Sequence, residues 1–215
     1  MWTRRRLLLS SGAIAACLPP LAAALPSFAA PRGPLRVGLL QSAPPFIDAR
    51  DRVGSSQRAL AAFIVLIERS IAADPAIDWL AGGPAALEGA LGRRDRKLAS
   101  LHEIAHSHQI RISLGSRWRE RDGSASKKLL VFEPDGSLST ARLNHSDAWI
   151  DAAIFAAACA RVGLPGAYIE PACDPATAPD VYAPIGGGTA LYGADGAALA
   201  RATTQAETCV VGCVS

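Results

Sequence analysis

The distribution of apolar and polar residues over 107–138 predicts a strand, a polar turn and a second strand. Isoleucine and leucine occupy every second position of 110–114, which is typical of a half-buried strand. Residues 117–128 are almost all charged, small or Gly, which predicts a solvated turn. The apolar run 129–132 predicts the second strand. The Glu-Pro-Asp-Gly sequence at 133–136 ends it, because Pro fixes φ and Gly accepts a positive φ.

Three other segments have apolar residues at helical spacing. They are 56–73, 97–108 and the Ala-rich 148–162. Asp74-Pro75 ends the first helix, and Gly163 caps the last one.

Short apolar runs predict the remaining strands. These runs are 35–41, 77–80, 167–170 and 208–214, with a hairpin over 186–202 that turns at an Asp-Gly pair. Strands alternate with helices early in the chain, and hairpins follow later. The sequence therefore predicts an α/β protein with a mixed sheet.

The N-terminus has the pattern of an export signal. Arg4-Arg5-Arg6 precedes an apolar stretch, 7–16, which resembles a twin-arginine signal and is too short to be a permanent membrane span. We therefore expect a signal peptide over 1–30, a single domain over 31–215, and a periplasmic or secreted protein. Cleavage is expected after Ala29 or Ala30, or before Cys17 if the Ile-Ala-Ala-Cys sequence is a lipoprotein box that anchors the protein to the membrane.

Composition excludes one partner class and leaves cysteine pairing open. A formal net charge of +3 and 6% aromatic residues do not favour nucleic-acid binding. Four cysteines remain after the signal: Cys159, Cys173, Cys209 and Cys213. In an oxidising compartment they permit two disulfides in three connectivities, or they behave as small buried apolar residues. Cys209 and Cys213 lie on one predicted strand, about 13 Å apart, which is beyond disulfide reach.

The order of these motifs resembles the nitrilase (carbon–nitrogen hydrolase) superfamily. The resemblance rests on LRVGLLQSAP, the helix-to-strand unit 58–78, SKKLLVFEPDG, and IGGGTALYGADGAALARA, in which Thr189 stands where Ser is usual. It implies an α-β-β-α sandwich with a mixed sheet. The predicted helix 148–162 follows Asp147 almost at once, so one internal block of the family is expected to be missing.

The resemblance also implies a catalytic triad, which this chain matches poorly. The family uses a cysteine nucleophile, a glutamate base and a lysine that stabilises the oxyanion. Ala85 stands where the glutamate should follow proline, and Glu88 is the nearest carboxylate. Arg142 stands in the lysine's place, although a planar guanidinium is not equivalent to an ammonium. The nucleophile segment has no counterpart, and Cys173 is the remaining candidate.

We therefore expect a carbon–nitrogen hydrolase homologue with little or no activity. If the protein is active, its substrate is a small amide or nitrile, with no cofactor. The alternative is a non-catalytic module that binds a ligand or partner on the same fold. A homodimer is expected from the resemblance alone.

A His-Glu-x-x-His motif from His102 to His106 gives a second alternative, a zinc hydrolase. Two His one helical turn apart can share a metal ion, but a third ligand is needed. Gln109 stands where the metzincin continuation requires Gly. Glu120 and Glu133 could complete a site only if a helix replaced the predicted hairpin. Two exposed imidazoles on an amphipathic helix are the simpler interpretation.

Overall fold

The computed structural model describes most of the chain. The described residues are 14–17, 34–43, 50–83, 90–91, 96–142, 152–170, 172, 188–203 and 206–215. The helices are α1 (Arg52–Ala73), α2 (Arg96–His108) and α3 (Ala152–Val162). The strands are β1 (Ile14–Cys17), β2 (Leu35–Gln41), β3 (Trp79–Gly82), β4 (Ala90–Leu91), β5 (Arg111–Arg119), β6 (Ala125–Phe132), β7 (Leu138–Arg142), β8 (Gly166–Ile169), β9 (Ala190–Tyr192), β10 (Ala198–Arg201) and β11 (Thr208–Val214).

These strands form two sheets. The first sheet is seven-stranded, in the order β11-β2-β3-β5-β6-β7, with β4 also paired to β5. It is mixed, because β2, β3 and β5 are parallel whereas β6, β7 and β11 pair antiparallel with their neighbours. The second sheet is four-stranded, in the order β1-β8-β9-β10, and its pairings are antiparallel.

Three layers of buried apolar side chains hold the helices and sheets together. One lies between α1, α2 and the first sheet, and it includes Ile67, Leu101, Ile112 and Leu114. A second lies between the two sheets, with Leu39, Ile169 and Leu191. A third lies between α3 and the second sheet, with Phe155, Tyr168 and Tyr192. The layers are therefore helix, sheet, sheet and helix, and the predicted α-β-β-α sandwich with a mixed sheet is confirmed.

The parallel strands β2, β3 and β5 end at the same side of the first sheet. Leu40 pairs with Gly82, and Gly82 pairs with Leu114. Since β6 is antiparallel to β5, and β7 is antiparallel to β6, β7 also ends on this side. We call this side the carboxyl edge. Ligand sites in open α/β sheets lie at this kind of edge.

Local side-chain chemistry sets the ends of two helices. Asp51 caps α1 by accepting a hydrogen bond from the Gly54 amide at 3.0 Å, so the helix begins four residues before the predicted start. Gly163 ends α3 in the left-handed conformation, with φ of 71°, and its amide donates to the Cys159 carbonyl.

The predicted polar turn at 117–128 was too long. β5 continues through Arg119 and β6 begins at Ala125, so the turn is confined to the intervening residues. Cross-strand pairing continues from Arg117↔Lys127 to Arg119↔Ala125, and it does not require apolar side chains. The strands β4 and β7 were not predicted, and β3 lies two residues later than the predicted strand. The helix predicted from residue 148 begins at Ala152 among the described residues.

A short strand lies within the predicted signal peptide. Ile14–Cys17 pairs antiparallel with Gly166–Ile169 of β8. The other residues of the predicted signal lie outside the described residues. No helix in the described part of the chain is both long enough and apolar enough to cross a membrane.

Candidate active site

Two loops that carry predicted site residues start close together at the carboxyl edge. The amide of Ala172 donates to the Ser42 carbonyl at 2.8 Å, which fixes the chain beyond β8 to the end of β2. Gly83 follows β3, and a Cβ at Gly83 would lie 3.3 Å from Cγ2 of Ile169. The positions of Glu88, Ala85 and Cys173 lie outside the described residues. The structure describes the residues that directly precede their segments, Gly83 and Ala172.

Arg142 is the last residue of β7, at the same edge. It stands opposite Lys128, which in turn stands opposite Ser116. At a strand spacing of about 4.8 Å, β7 is about 14 Å from β3 across the sheet. The backbone therefore puts Arg142 at the carboxyl edge. Its catalytic role remains a prediction.

Buried polar contacts tie the end of β2 to the start of β11. Gln41 is fully buried, and its amide nitrogen donates to the Ala206 carbonyl at 2.9 Å. Two residues later, the Ala43 amide donates to a Glu207 carboxylate oxygen at 2.9 Å. These bonds fix the loop that borders the carboxyl edge, because both cross between segments far apart in sequence.

A hydrogen-bonded cluster around Glu170 was not predicted from the sequence. One carboxylate oxygen accepts the Tyr168 hydroxyl at 2.6 Å, and the other accepts the Gly188 amide at 2.7 Å. The backbone of Glu170 also exchanges hydrogen bonds with the fully buried Thr189 hydroxyl, at 3.1 and 3.2 Å. The sequence does contain one signal for this cluster: Glu170 lies directly before a proline, at the end of an apolar strand. The partners Gly188 and Thr189 lie 18 and 19 positions later, so no local sequence pattern links them to Glu170.

None of the described cysteine side chains is suited to nucleophilic catalysis at the carboxyl edge. Cys159 is buried on α3, and its sulfur lies against Gly166. Cys209 pairs with Leu40 near the edge, but burial raises the pKa of its thiol and Ser70 of α1 is its hydrogen-bond neighbour. Cys213 is exposed, with its sulfur 3.8 Å from an Arg36 guanidinium nitrogen. These three cysteines are free thiols. A thiol with a raised pKa is a poor nucleophile, since the thiolate is the reactive form.

The two histidines of the His-Glu-x-x-His motif pack against the turn between β6 and β7. The ring of His102 meets Phe132 edge to face at 4.9 Å, and burial lowers its pKa. Nδ1 of His106 lies 2.8 Å from the Pro134 carbonyl oxygen. Within the described residues, no group of three or more His, Cys, Asp or Glu side chains is placed to hold a metal ion.

The proposed third zinc ligands have other partners. Glu133 is fully buried, and one of its oxygens accepts from Nε of Arg111 at 2.9 Å. The Arg111 guanidinium lies 5.4 Å from the centre of the Trp79 ring. Glu120 is paired with Lys128 at 2.9 Å on the β5–β6 hairpin. His102, His106, Glu120 and Glu133 thus have other contacts, and the zinc alternative remains a prediction without a third ligand.

Comparisons of sequence with known proteins give no match. No family model matches the chain, and no curated protein matches it either.

Comparisons of structure do find similar proteins. Nit3 of Saccharomyces cerevisiae, a member of branch 10 of the nitrilase superfamily, is 11% identical with a TM-score of 0.65, covering 84% of this chain and 89% of Nit3. A carbon–nitrogen hydrolase from Helicobacter pylori G27 is 13% identical, with the same TM-score and coverage. An amidase from Nesterenkonia sp. AN1, in complex with acrylamide, is 13% identical with a TM-score of 0.58, covering 86% of this chain and 92% of the amidase. The chain therefore has the α-β-β-α fold of the nitrilase superfamily.

Proposed function

We propose that this chain is an exported homologue of the carbon–nitrogen hydrolases that hydrolyses small amides weakly or not at all. The observation that carries the proposal is the α-β-β-α sandwich, shared with the amidase over 86% of the chain. The layers and the carboxyl edge are retained. The residues that would activate a nucleophile there are poorly matched in the sequence.

Weak activity follows from the chemistry of the mismatches. Ala85 cannot act as a general base, and general base catalysis contributes about 10²–10⁴-fold. A misplaced oxyanion donor costs about 10²–10³-fold. If Arg142 does not replace the lysine, the two losses put the rate on the order of 10⁴-fold or more below that of an intact triad. Of the cysteines whose side chains are described, Cys159 is buried on α3, Cys209 is partly buried with a raised pKa, and Cys213 lies beside Arg36 near the start of β2.

The activity part of the proposal is tested by ammonia release from small amides and nitriles. Cys173→Ala is the informative variant, because Cys173 follows Ala172 at the carboxyl edge. Cys159→Ala is the matched control, since its sulfur is buried against Gly166. We expect no release that depends on Cys173. Release that Cys173→Ala alone abolishes would overturn the proposal.

Export is tested separately by cell fractionation. We expect the protein in the periplasm or medium, and retention inside the cell when Arg4, Arg5 and Arg6 are replaced by Gln. Mass spectrometry of the exported form separates cleavage after Ala29 or Ala30 from acylation at Cys17. An intracellular, full-length product of the unchanged sequence would contradict export.

A binding role is the second candidate. It is favoured by the Glu170 cluster. The hydrogen bonds of Glu170 hold the end of β8 against Gly188 and Thr189, next to the carboxyl edge. Thermal unfolding in the presence of small amides and nitriles tests it. A rise in melting temperature without ammonia release would favour binding, and no shift with any of them would count against it.

A further inference from the structure

The β5–β6 hairpin concentrates positive charge at its tip. Residues 117–128 hold five basic and two acidic residues, so their formal net charge is +3. Three of the 22 basic residues and none of the 19 acidic residues precede residue 31. The remaining chain, 31–215, therefore has equal numbers of each. The rest of 31–215 therefore carries a formal net charge of −3, and the hairpin stands out from it as a basic element.

The acidic residues of the hairpin are already used within it. Glu120 accepts the Ser126 hydroxyl at 2.5 Å and pairs with Lys128 at 2.9 Å. Asp122 accepts both the amide and the hydroxyl of Ser124, at 2.9 and 2.7 Å, which closes the turn. Glu120 therefore pairs with Lys128, and Asp122 forms no ion pair within the described residues.

Three basic side chains at the tip are exposed: Arg119, Arg121 and Lys127. None of them forms an ion pair within the described part of the chain. Their charges therefore face solvent and are available to an anionic partner.

The side chains at the tip of the hairpin indicate which class of anionic partner it binds. Residues 119–127 include no large apolar side chain, whereas the centres of protein interfaces are enriched in aromatic residues. The aromatic residue nearest the tip, Trp118, is only 6% exposed and is unavailable for stacking on nucleobases. A surface with basic side chains and no apolar contacts fits the anionic headgroups of a lipid bilayer. We propose that the β5–β6 hairpin docks the protein on anionic membrane surfaces through Arg119, Arg121 and Lys127.

Vesicle binding tests this proposal without depending on catalysis. The full chain is mixed with vesicles of equal parts phosphatidylglycerol and phosphatidylcholine, or of phosphatidylcholine alone. Arg4, Arg5 and Arg6 are replaced by Gln in every sample, so that the charge of the predicted signal does not contribute. The quantity compared is the ratio of partition into the two vesicle types. Taking this ratio cancels apolar binding by the N-terminal segment, because such binding contributes to both vesicle types.

The informative variant is Arg119→Glu/Arg121→Glu/Lys127→Glu. The matched control is Arg69→Glu/Arg161→Glu/Arg201→Glu, which changes the net charge equally at three exposed positions elsewhere. A basic residue near an anionic surface contributes about fivefold in partition. We therefore expect the hairpin variant to lose on the order of 100-fold in the ratio, and the control to lose much less. Added salt should lower binding of the unchanged hairpin.

Three results would overturn the proposal. One is equal partition of the unchanged hairpin into both vesicle types. Another is an equal loss in the hairpin and control variants, which would make net charge rather than the hairpin responsible. The third is binding to heparin or single-stranded DNA without binding to anionic vesicles, which would identify a soluble polyanion as the partner.

Discussion

Glu170 accepts a hydrogen bond from the Gly188 amide at 2.7 Å, and this bond ties together the two ends of segment 171–187. The segment contains Cys173, the candidate nucleophile. The second carboxylate oxygen is held by the Tyr168 hydroxyl. Glu170 therefore joins the end of β8 to the residues before β9, and its main effect is expected on stability.

Glu170→Gln should destabilise the protein by about 1–2 kcal/mol, because an amide has one acceptor oxygen where the carboxylate has two. Urea unfolding of the variant measures the change. Glu103→Gln is the matched control, since Glu103 is exposed on α2. Equal stabilities of the two variants would show that the hydrogen bonds of the Glu170 carboxylate do not stabilise the fold.

The buried pair of Arg111 and Glu133 gives a second stability prediction. Arg111→Met should cost about 3–5 kcal/mol, because it leaves the fully buried Glu133 carboxylate without its cation. The double variant Arg111→Met/Glu133→Leu should recover most of that loss, since both charges are then absent. Urea unfolding of the single and double variants measures the coupling. Losses that simply add would show that the pair does not act as a unit.

The pH dependence of stability should include a contribution from His102. Burial lowers the pKa of this imidazole from its ordinary value of 6.5, so protonation favours the unfolded chain. Stability should therefore fall as the pH falls below 6.5, until the folded-state pKa is passed. Asp74, whose pKa is lowered from 3.8 by a hydrogen bond from Arg36, acts only at more acidic pH.

His102→Gln should flatten the stability profile just below pH 6.5, as measured by urea unfolding at several pH values. His108→Gln is a useful comparison, since the His108 ring lies 3.3 Å from Glu68 and is not packed against an aromatic ring as His102 is. An unchanged profile in His102→Gln would show that its burial has no energetic consequence.

Cysteine alkylation should follow burial. Cys213 is exposed, Cys209 has a raised pKa caused by burial, and Cys159 is 1% exposed. Among these three cysteines, iodoacetamide should therefore label Cys213 first and Cys159 last in the folded protein, with peptide mass spectrometry as the readout. Rapid labelling of Cys159 under native conditions would show that α3 opens far more readily than its packing indicates.

The sequence predicted elements whose signal is local. The Asp-Gly turns and the strand β11 were found because Gly at a turn and an uninterrupted apolar run are visible within a few residues. β7 was missed because Leu138–Arg142 is mostly polar, and its strand conformation depends on pairing with β6. The extended β5–β6 hairpin was underestimated for the same reason.

The candidate site was less predictable than the fold. The carboxyl edge depends on parallel pairing between segments about 40 residues apart, such as Val37 with Trp79. Glu170 was missed because its partners lie across a long segment. By contrast, the His-Glu-x-x-His motif was visible in the sequence, but packing against Phe132 and Pro134 accounts for it.

Ammonia release by the folded protein tests the central claim most directly. Purified protein, shown by circular dichroism to be folded, is assayed against small amides and nitriles beside Cys173→Ala and Cys159→Ala. We predict that the unchanged chain and Cys173→Ala release ammonia at the same rate, no higher than the uncatalysed background. Release by the unchanged chain and by Cys159→Ala, with none from Cys173→Ala, would contradict the account and identify Cys173 as a working nucleophile.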